Sequence, residues 1–345
     1  MRILSLAALL LTGCAGSAQY SGPESVEYDP VGDRYLVSCT GNSTIKQRAQ
    51  DGTVTNFVTG LTDSPYGLEI KGDTLFANVG GSVLGFLLST GEEVFNLNVG
   101  GSFLNGLATD GHFLYTSDFS TKKIFKVDPN AGTFTTLVAN TTQTPNGLVY
   151  DASLGRLWLA CWGSGARIKG YDPISGVQLS TYTTALGNID GITLDCQGRL
   201  LVASWSPNQI TRFENTFTQV AVVLVSTGLN QPADIDYDEV NNRICIPNAG
   251  NSTVVLADDG SCITSVLEQP GYRTINAVPN PTDGLVSIDM DMEEPQPFMV
   301  FNQRGLLVAS GTLRPRAMLD VRTLAAGIYM IDLPRIKRFV RVVKN

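Results

Sequence analysis

The chain has 345 residues, 43% hydrophobic and only 16% charged, with 35 Gly to supply turns and a formal net charge of −8. That composition describes a folded, strand-rich protein rather than a disordered one, and the acidic balance argues against a nucleic-acid surface. The single histidine, His112, removes Ser-His-Asp, Cys-His and multi-histidine zinc chemistry together.

Residues 1–18 place one basic residue, Arg2, before the apolar run Ile3 to Leu11, and then turn to Gly, Ser and Ala. This is the layout of a secretory signal rather than of a membrane span, so the chain is expected to be exported. Two cleavage readings stand. Gly16-Ser17-Ala18 before Gln19 suits ordinary signal peptidase, whereas Leu11-Thr12-Gly13-Cys14 is similar to a lipobox whose Cys14 would carry lipid.

From residue 19 to 268 one phrase recurs. Its fullest copy is Pro145-Asn146-Gly147-Leu148-Val149-Tyr150-Asp151 followed by Gly155-Arg156-Leu157-Trp158-Leu159-Ala160-Cys161-Trp162. A polar residue, a Gly and an aliphatic residue open an alternating segment, a Gly turn follows, and a second segment runs back. The first aliphatic residues, Val26, Leu68, Leu107, Leu148, Ile192 and Ile235, are spaced 42, 39, 41, 44 and 43 apart. Units of that length with four antiparallel strands are propeller blades, so 19–268 is expected to be a six-bladed β-propeller. The fourth strand of the last blade is expected at Cys262 to Leu267, leaving blades one and six to meet by side-chain packing alone.

In a propeller the first strand of each blade lines the axis, so the residue before each anchor Gly joins a ring at one height. With Ser25 in the Gly place of the first copy, the ring is Glu24, Tyr66, Asn105, Asn146, Asp190 and Ala233. Carboxylates converging on a narrow channel repel one another unless a cation or a shared proton compensates. Glu24, Asn146 and Asp190, with Asn105 nearby, offer the oxygen donors that a divalent ion, calcium first, would take. The alternative is that Asn and Asp before Gly serve turn geometry only. A second ring at the end of strand two, Cys39, Asn78, Asp118, Cys161, Ser204 and Asn248, reads as structural capping. Trp158, Trp162 and Trp205 read as inter-blade packing. The mature chain keeps an odd five cysteines, Cys39, Cys161, Cys196, Cys245 and Cys262, so no disulfide framework is implied.

Gly22-Pro23-Glu24-Ser25-Val26, Pro145-Asn146-Gly147 and the run Ile189-Asp190-Gly191-Ile192 through Gly198-Arg199-Leu200 resemble the senescence-marker-protein/gluconolactonase family over roughly residues 22–260. That resemblance implies a calcium or zinc site on Glu24, Asn146 and Asp190, a pocket role for Asn105 with Tyr66 beside it, and Asp190 or a bound water in proton transfer. The family carries an Arg two residues before the Asn of its third blade; here Phe103-Leu104-Asn105-Gly106 has Phe103 at that place.

After Glu268 the repeat stops. Residues 269–276 read as a linker and 277–345 as a small β-sandwich of about seven strands. The unit carries nine Lys/Arg against seven Asp/Glu, so the acidity of the chain belongs to the repeats. Val278-Pro279-Asn280-Pro281, Gly327-Ile328-Tyr329 and the basic last strand from Arg335 to Lys344 resemble, in that order, the type A C-terminal sorting domain of type IX secretion cargo. The resemblance implies the type IX machinery as partner, passage through the outer membrane, removal of the tail, and a secreted or cell-surface product. Two functions remain open: a metal-dependent hydrolase of the lactonase type, or a propeller that binds a ligand without chemistry.

Overall fold

A computed structural model describes residues 19–260, 273–288, 294–302, 307–315 and 317–345. The signal segment 1–18 with Cys14, and the strand expected at 262–267, lie outside the described residues. No helix among the described residues is long and apolar enough to cross a membrane.

The repeats fold as consecutive antiparallel sheets in chain order. Five have four strands and the last has three among the described residues. Their first strands are Pro23–Asp29, Pro65–Lys71, Leu104–Thr109, Pro145–Asp151, Gly187–Leu194 and Asp236–Asp238, and each touches the next, the last touching the first. Near-continuous apolar runs in the second strands, such as Leu75–Ala77 and Leu157–Cys161, are buried at successive positions, so the sheets are apolar on both faces and the core is divided accordingly. Six hydrophobic clusters each span two neighbouring sheets: Leu36 and Ile45 meet Leu68 and Leu84, and so on round to Tyr35 and Val37 against Cys245.

The first strands come close enough to demand glycine. A Cβ on Gly67 would stand 2.3 Å from Asn105 O, one on Gly106 2.4 Å from Asn146 O, and one on Gly147 2.7 Å from Asp190 O. The anchor glycines are therefore a packing requirement between neighbouring backbones. Between the last sheet and the first both positions are filled, by Asp234 and Ser25, and the joint is made differently. Val26 N donates to Asp234 O (3.3 Å) and Asp234 N to Glu24 O (2.8 Å). The expectation of a joint by side-chain packing alone is thus corrected: without glycine the two strands stay at hydrogen-bonding distance. Residues 19–22 form no strand; Gly41 N donates to Ser21 O and Thr40 N to Gly22 O within the first unit.

The C-terminal unit has a five-stranded sheet and a three-stranded sheet around one cluster that includes Val286, Val300, Ile331, Val340 and Val342. Arg273–Thr274, in the stretch expected as a linker, pair in parallel with Arg338 and Phe339 of the last strand. Cys39, Cys161 and Cys245 are free and buried. Cys196 is disulfide-bonded, which corrects the expectation that the odd count leaves no disulfide. His112 sits in an exposed turn whose amide donates to Asp110 Oδ1.

Candidate functional site at the mouth of the channel

Each ring residue stands on a bulge. In the first five sheets the ring residue and the residue after it oppose one residue of strand two: the pairing steps from Pro23–Cys39 to Val26–Val37, from Leu104–Asp118 to Leu107–Thr116, and from Pro145–Cys161 to Leu148–Leu159. The second and fifth sheets do the same at Tyr66-Gly67 and Asp190-Gly191. Bulges of this kind re-aim side chains. The exposed amides of the bulges are met by strand two, as Ser38 Oγ accepts from Ser25 N (2.8 Å) and Ser117 Oγ from Gly106 N (2.9 Å).

The ring residues predicted from sequence are brought together. Asn146 Nδ2 donates to Asp190 Oδ1 at 2.8 Å, and Asn105 hydrogen-bonds Glu24. Each carboxamide therefore gives its N–H to a carboxylate, and each keeps a buried oxygen without a protein partner: Asn105 Oδ1 and Asn146 Oδ1, on residues only 4% and 1% exposed. Burial pushes the Glu24 carboxyl up to about 7. It raises Asp190 well above the usual carboxylate range, and the charges of Glu24 and Asp234 raise it further.

Asp234 was missed by the sequence reading, which placed Ala233 as an empty position. Its backbone takes the glycine place, its carboxylate is buried and accepts from Ser25 Oγ (3.0 Å), and burial holds its pKa well above the ordinary value. The signal was an Asp where four other copies have Gly. Three residues further along, a second tier holds Glu27, Glu69 and Asp236. Burial is the first cause raising all three, and mutual charge raises Glu27 and Glu69 further.

Among the described residues no three His, Cys, Asp or Glu side chains are grouped so as to hold a metal ion. Glu24 and Asp190 supply two carboxylates, and the rest of a coordination shell would fall to the carboxamides. Those oxygens are hard donors without partners, so the donor set fits a hard divalent cation such as calcium.

The second ring serves loops. Asp118 accepts from the amides of Ser102, Ser120 and Thr121, and Asn248 from that of Asn230. The pairing register puts Val79, not Asn78, level with Cys39 and Asp118; Asn78 instead reaches the Asn105 and Gly106 carbonyls across the next bulge. The tryptophans divide. Trp158 is buried against Phe217 as packing, but Trp162 and Trp205 are half-buried at the mouth. There they end an arc of half-buried rings, Tyr66–Phe103 (4.7 Å between centroids), Phe103–Phe119 (5.2 Å), Phe119–Trp162 (5.9 Å) and Trp162–Trp205 (4.8 Å). Two surface clefts, of about 300 and 400 Å³, lie elsewhere, between the first two sheets and beside Arg212.

Residues 276–342 match the family described as secretion system C-terminal sorting domain, which marks the chain for export to the cell surface or beyond. No curated protein matches at a significant level. Among solved structures, a nidogen/laminin complex aligns over 57% of this chain and 77% of its own at 16% identity and a TM-score of 0.51. Hydrazine synthase of Kuenenia stuttgartiensis aligns over 69% and 76% at 15% identity and a TM-score of 0.54. A protein of unknown function from Bacteroides thetaiotaomicron aligns over 68% of each chain at 12% identity and a TM-score of 0.55. At such identities the likeness is one of fold, and it is propeller-like.

Proposed function

We propose that this is an exported six-bladed β-propeller followed by a β-sandwich sorting domain, and that its axial site takes one divalent cation, calcium first, through Glu24, Asn146 and Asp190. We further assign it to hydrolysis of the lactonase type, in line with the resemblance to the senescence-marker-protein/gluconolactonase family. The supporting observation is the pair of partnerless carboxamide oxygens beside two buried carboxylates, Glu24 and Asp190. A bound divalent ion would supply carbonyl polarisation and activation of water. Asp190, oriented by the Asn146 N–H, is the group to accept and return the proton. Asn105 and Tyr66 flank the substrate.

A ligand that binds only the folded state stabilises it by mass action, so calcium should raise the melting temperature of the purified chain. Glu24→Gln and Asp190→Asn should each weaken that response. Asp118→Asn, whose carboxylate serves loop amides, should leave it nearly intact. Calorimetry and metal analysis that find no calcium, zinc or magnesium would end both the site and the hydrolase reading. One observation favours the second reading, a propeller that binds without chemistry: the mouth presents Phe103 and its ring neighbours rather than a basic group to steer a reacting oxyanion.

A further inference from the structure

The aromatic arc is not required by the fold. The pairing register aligns Pro23 with Cys39, Pro65 with Val79, Leu104 with Asp118, Pro145 with Cys161, Ile189 with Ser204 and Pro232 with Asn248. The residues that follow these strand-two positions are therefore equivalent in the six sheets: Thr40, Gly80, Phe119, Trp162, Trp205 and Ala249. Three successive sheets put a large ring where the other three put Thr, Gly and Ala, so packing between sheets is satisfied without one. Phe103 and Tyr66 extend the series to a fourth sheet, and the members hold one another edge to face or tilted. All five remain partly exposed. Tyr66 ties the arc to the axial ring: it ends the arc against Phe103 and is itself the ring residue on the bulge of the second sheet.

We propose that this arc is the platform for the apolar body of the ligand, and that the chain takes lactones or esters with a flat apolar ring, such as aryl lactones, rather than polyhydroxylated sugar lactones. The assignment rests on the hydrolase reading for the word lactone, but the platform itself does not. A sugar ring also has a C–H face that stacks on aromatic walls, but the hydroxyls around its rim need polar partners on every side. The wall from Tyr66 to Trp205 offers ring faces and edges, whose gain comes from burying apolar area and from aromatic contact. The partnerless Asn105 and Asn146 oxygens and the carboxylates lie at its foot, so a molecule with one polar edge and one apolar face matches both. On the side of the first and last sheets no ring continues the wall among the described residues: Gly41 lies against Ser21, and Gly250 against Asn230 and Gln231.

The test uses the full mature chain with calcium and reads tryptophan fluorescence, because Trp162 and Trp205 lie in the arc. Dihydrocoumarin, its carbonyl-free analogue chroman, and gluconolactone are titrated in turn, and hydrolysis of the two lactones is followed in parallel. Dihydrocoumarin and chroman should quench saturably, with dihydrocoumarin bound about ten-fold or more tighter than gluconolactone. Phe119→Ala and Trp162→Phe, checked for folding by circular dichroism, and Phe103→Arg should weaken dihydrocoumarin binding while calcium still raises the melting temperature. Gluconolactone binding as tightly as dihydrocoumarin, or folded arc variants that bind dihydrocoumarin unchanged, would overturn the platform and leave the hydrolase reading standing. Saturable chroman binding lost in the arc variants, with no hydrolysis of either lactone, would end the hydrolase reading and leave the platform in place.

Discussion

A glycine at the axis answers for a neighbour's backbone, not for its own turn. Gly106 has no positive φ, yet a Cβ there would meet Asn146 O at 2.4 Å and the Gly147 Cα at 2.8 Å, both main-chain atoms that cannot swing aside. Gly106→Ala should therefore destabilise the protein by roughly 1–3 kcal/mol in urea unfolding, as overpacking does, whereas Gly260→Ala, whose Cβ would meet nothing within 4 Å among the described residues, should be nearly neutral. The same contact explains why Asp234 matters: it stands where glycine stands in four other copies, and the first and last strands accommodate it by joining through backbone hydrogen bonds. The sequence displayed that substitution openly. What it could not display was the pairing that makes Ser25 donate to Asp234 across the join.

At the level of elements, the bulges decide which side chains reach the axis, and strand two decides how the bulges are held. Ser38 and Ser117 hold the bulges of their own sheets, Asn78 reaches to the bulge of the next sheet, and Ala160 and Ala203 stand at the matching places of two others. Hydrophobic periodicity locates strands but not a two-against-one register, which is why the second ring was placed one residue away at Asn78. The C-terminal unit is an element with its own task. Its Pro-Asn-Pro opening packs against the last strand, with Asn280 Oδ1 accepting from Val343 N and Asn280 Nδ2 donating to Arg341 O. Fused behind a carrier with a signal peptide, residues 277–345 should carry it to the cell surface in a host with type IX secretion. Accumulation of the intact fusion in the periplasm would count against the sorting role. Arg273 and Thr274, paired with the same strand, make a fusion that begins at residue 273 the better-folded of the two.

For the molecule as a whole, the first strands of the sheets gather carboxylates on two tiers. Burial raises Glu24 and Asp236 to about 7, and Asp190, Asp234, Glu27 and Glu69 well above their ordinary values. Groups with raised folded pKa values contribute stability that is complete below their unfolded values, near 4, and is lost as pH climbs through the folded ones. The opposite dependence comes from carboxylates such as Asp110, where burial raises the pKa but hydrogen bonds from Phe113, Tyr115 and His112 outweigh it and hold it below its usual value, and it operates only at lower pH. Calcium-free protein should consequently melt at least roughly 5 °C higher at pH 5 than at pH 8, with calcium narrowing the gap at pH 8. Equal melting temperatures without calcium would mean that the channel carboxylates are not desolvated.

Repeat spacing, the polar-Gly-aliphatic phrase and the ordered motifs of the tail were legible in the sequence because each is local: a strand's alternation and a turn's glycine are fixed within a few residues. Glu24, Asn105, Asn146 and Asp190 could be gathered from sequence for the same reason, since a repeat position maps onto one height along an axis. Asp234, the aromatic arc and the disulfide at Cys196 were decided by tertiary structure. Each depends on which atoms of distant copies face one another, and a bulge, a missing glycine or a ring on the next sheet shifts that by a single residue with no local trace.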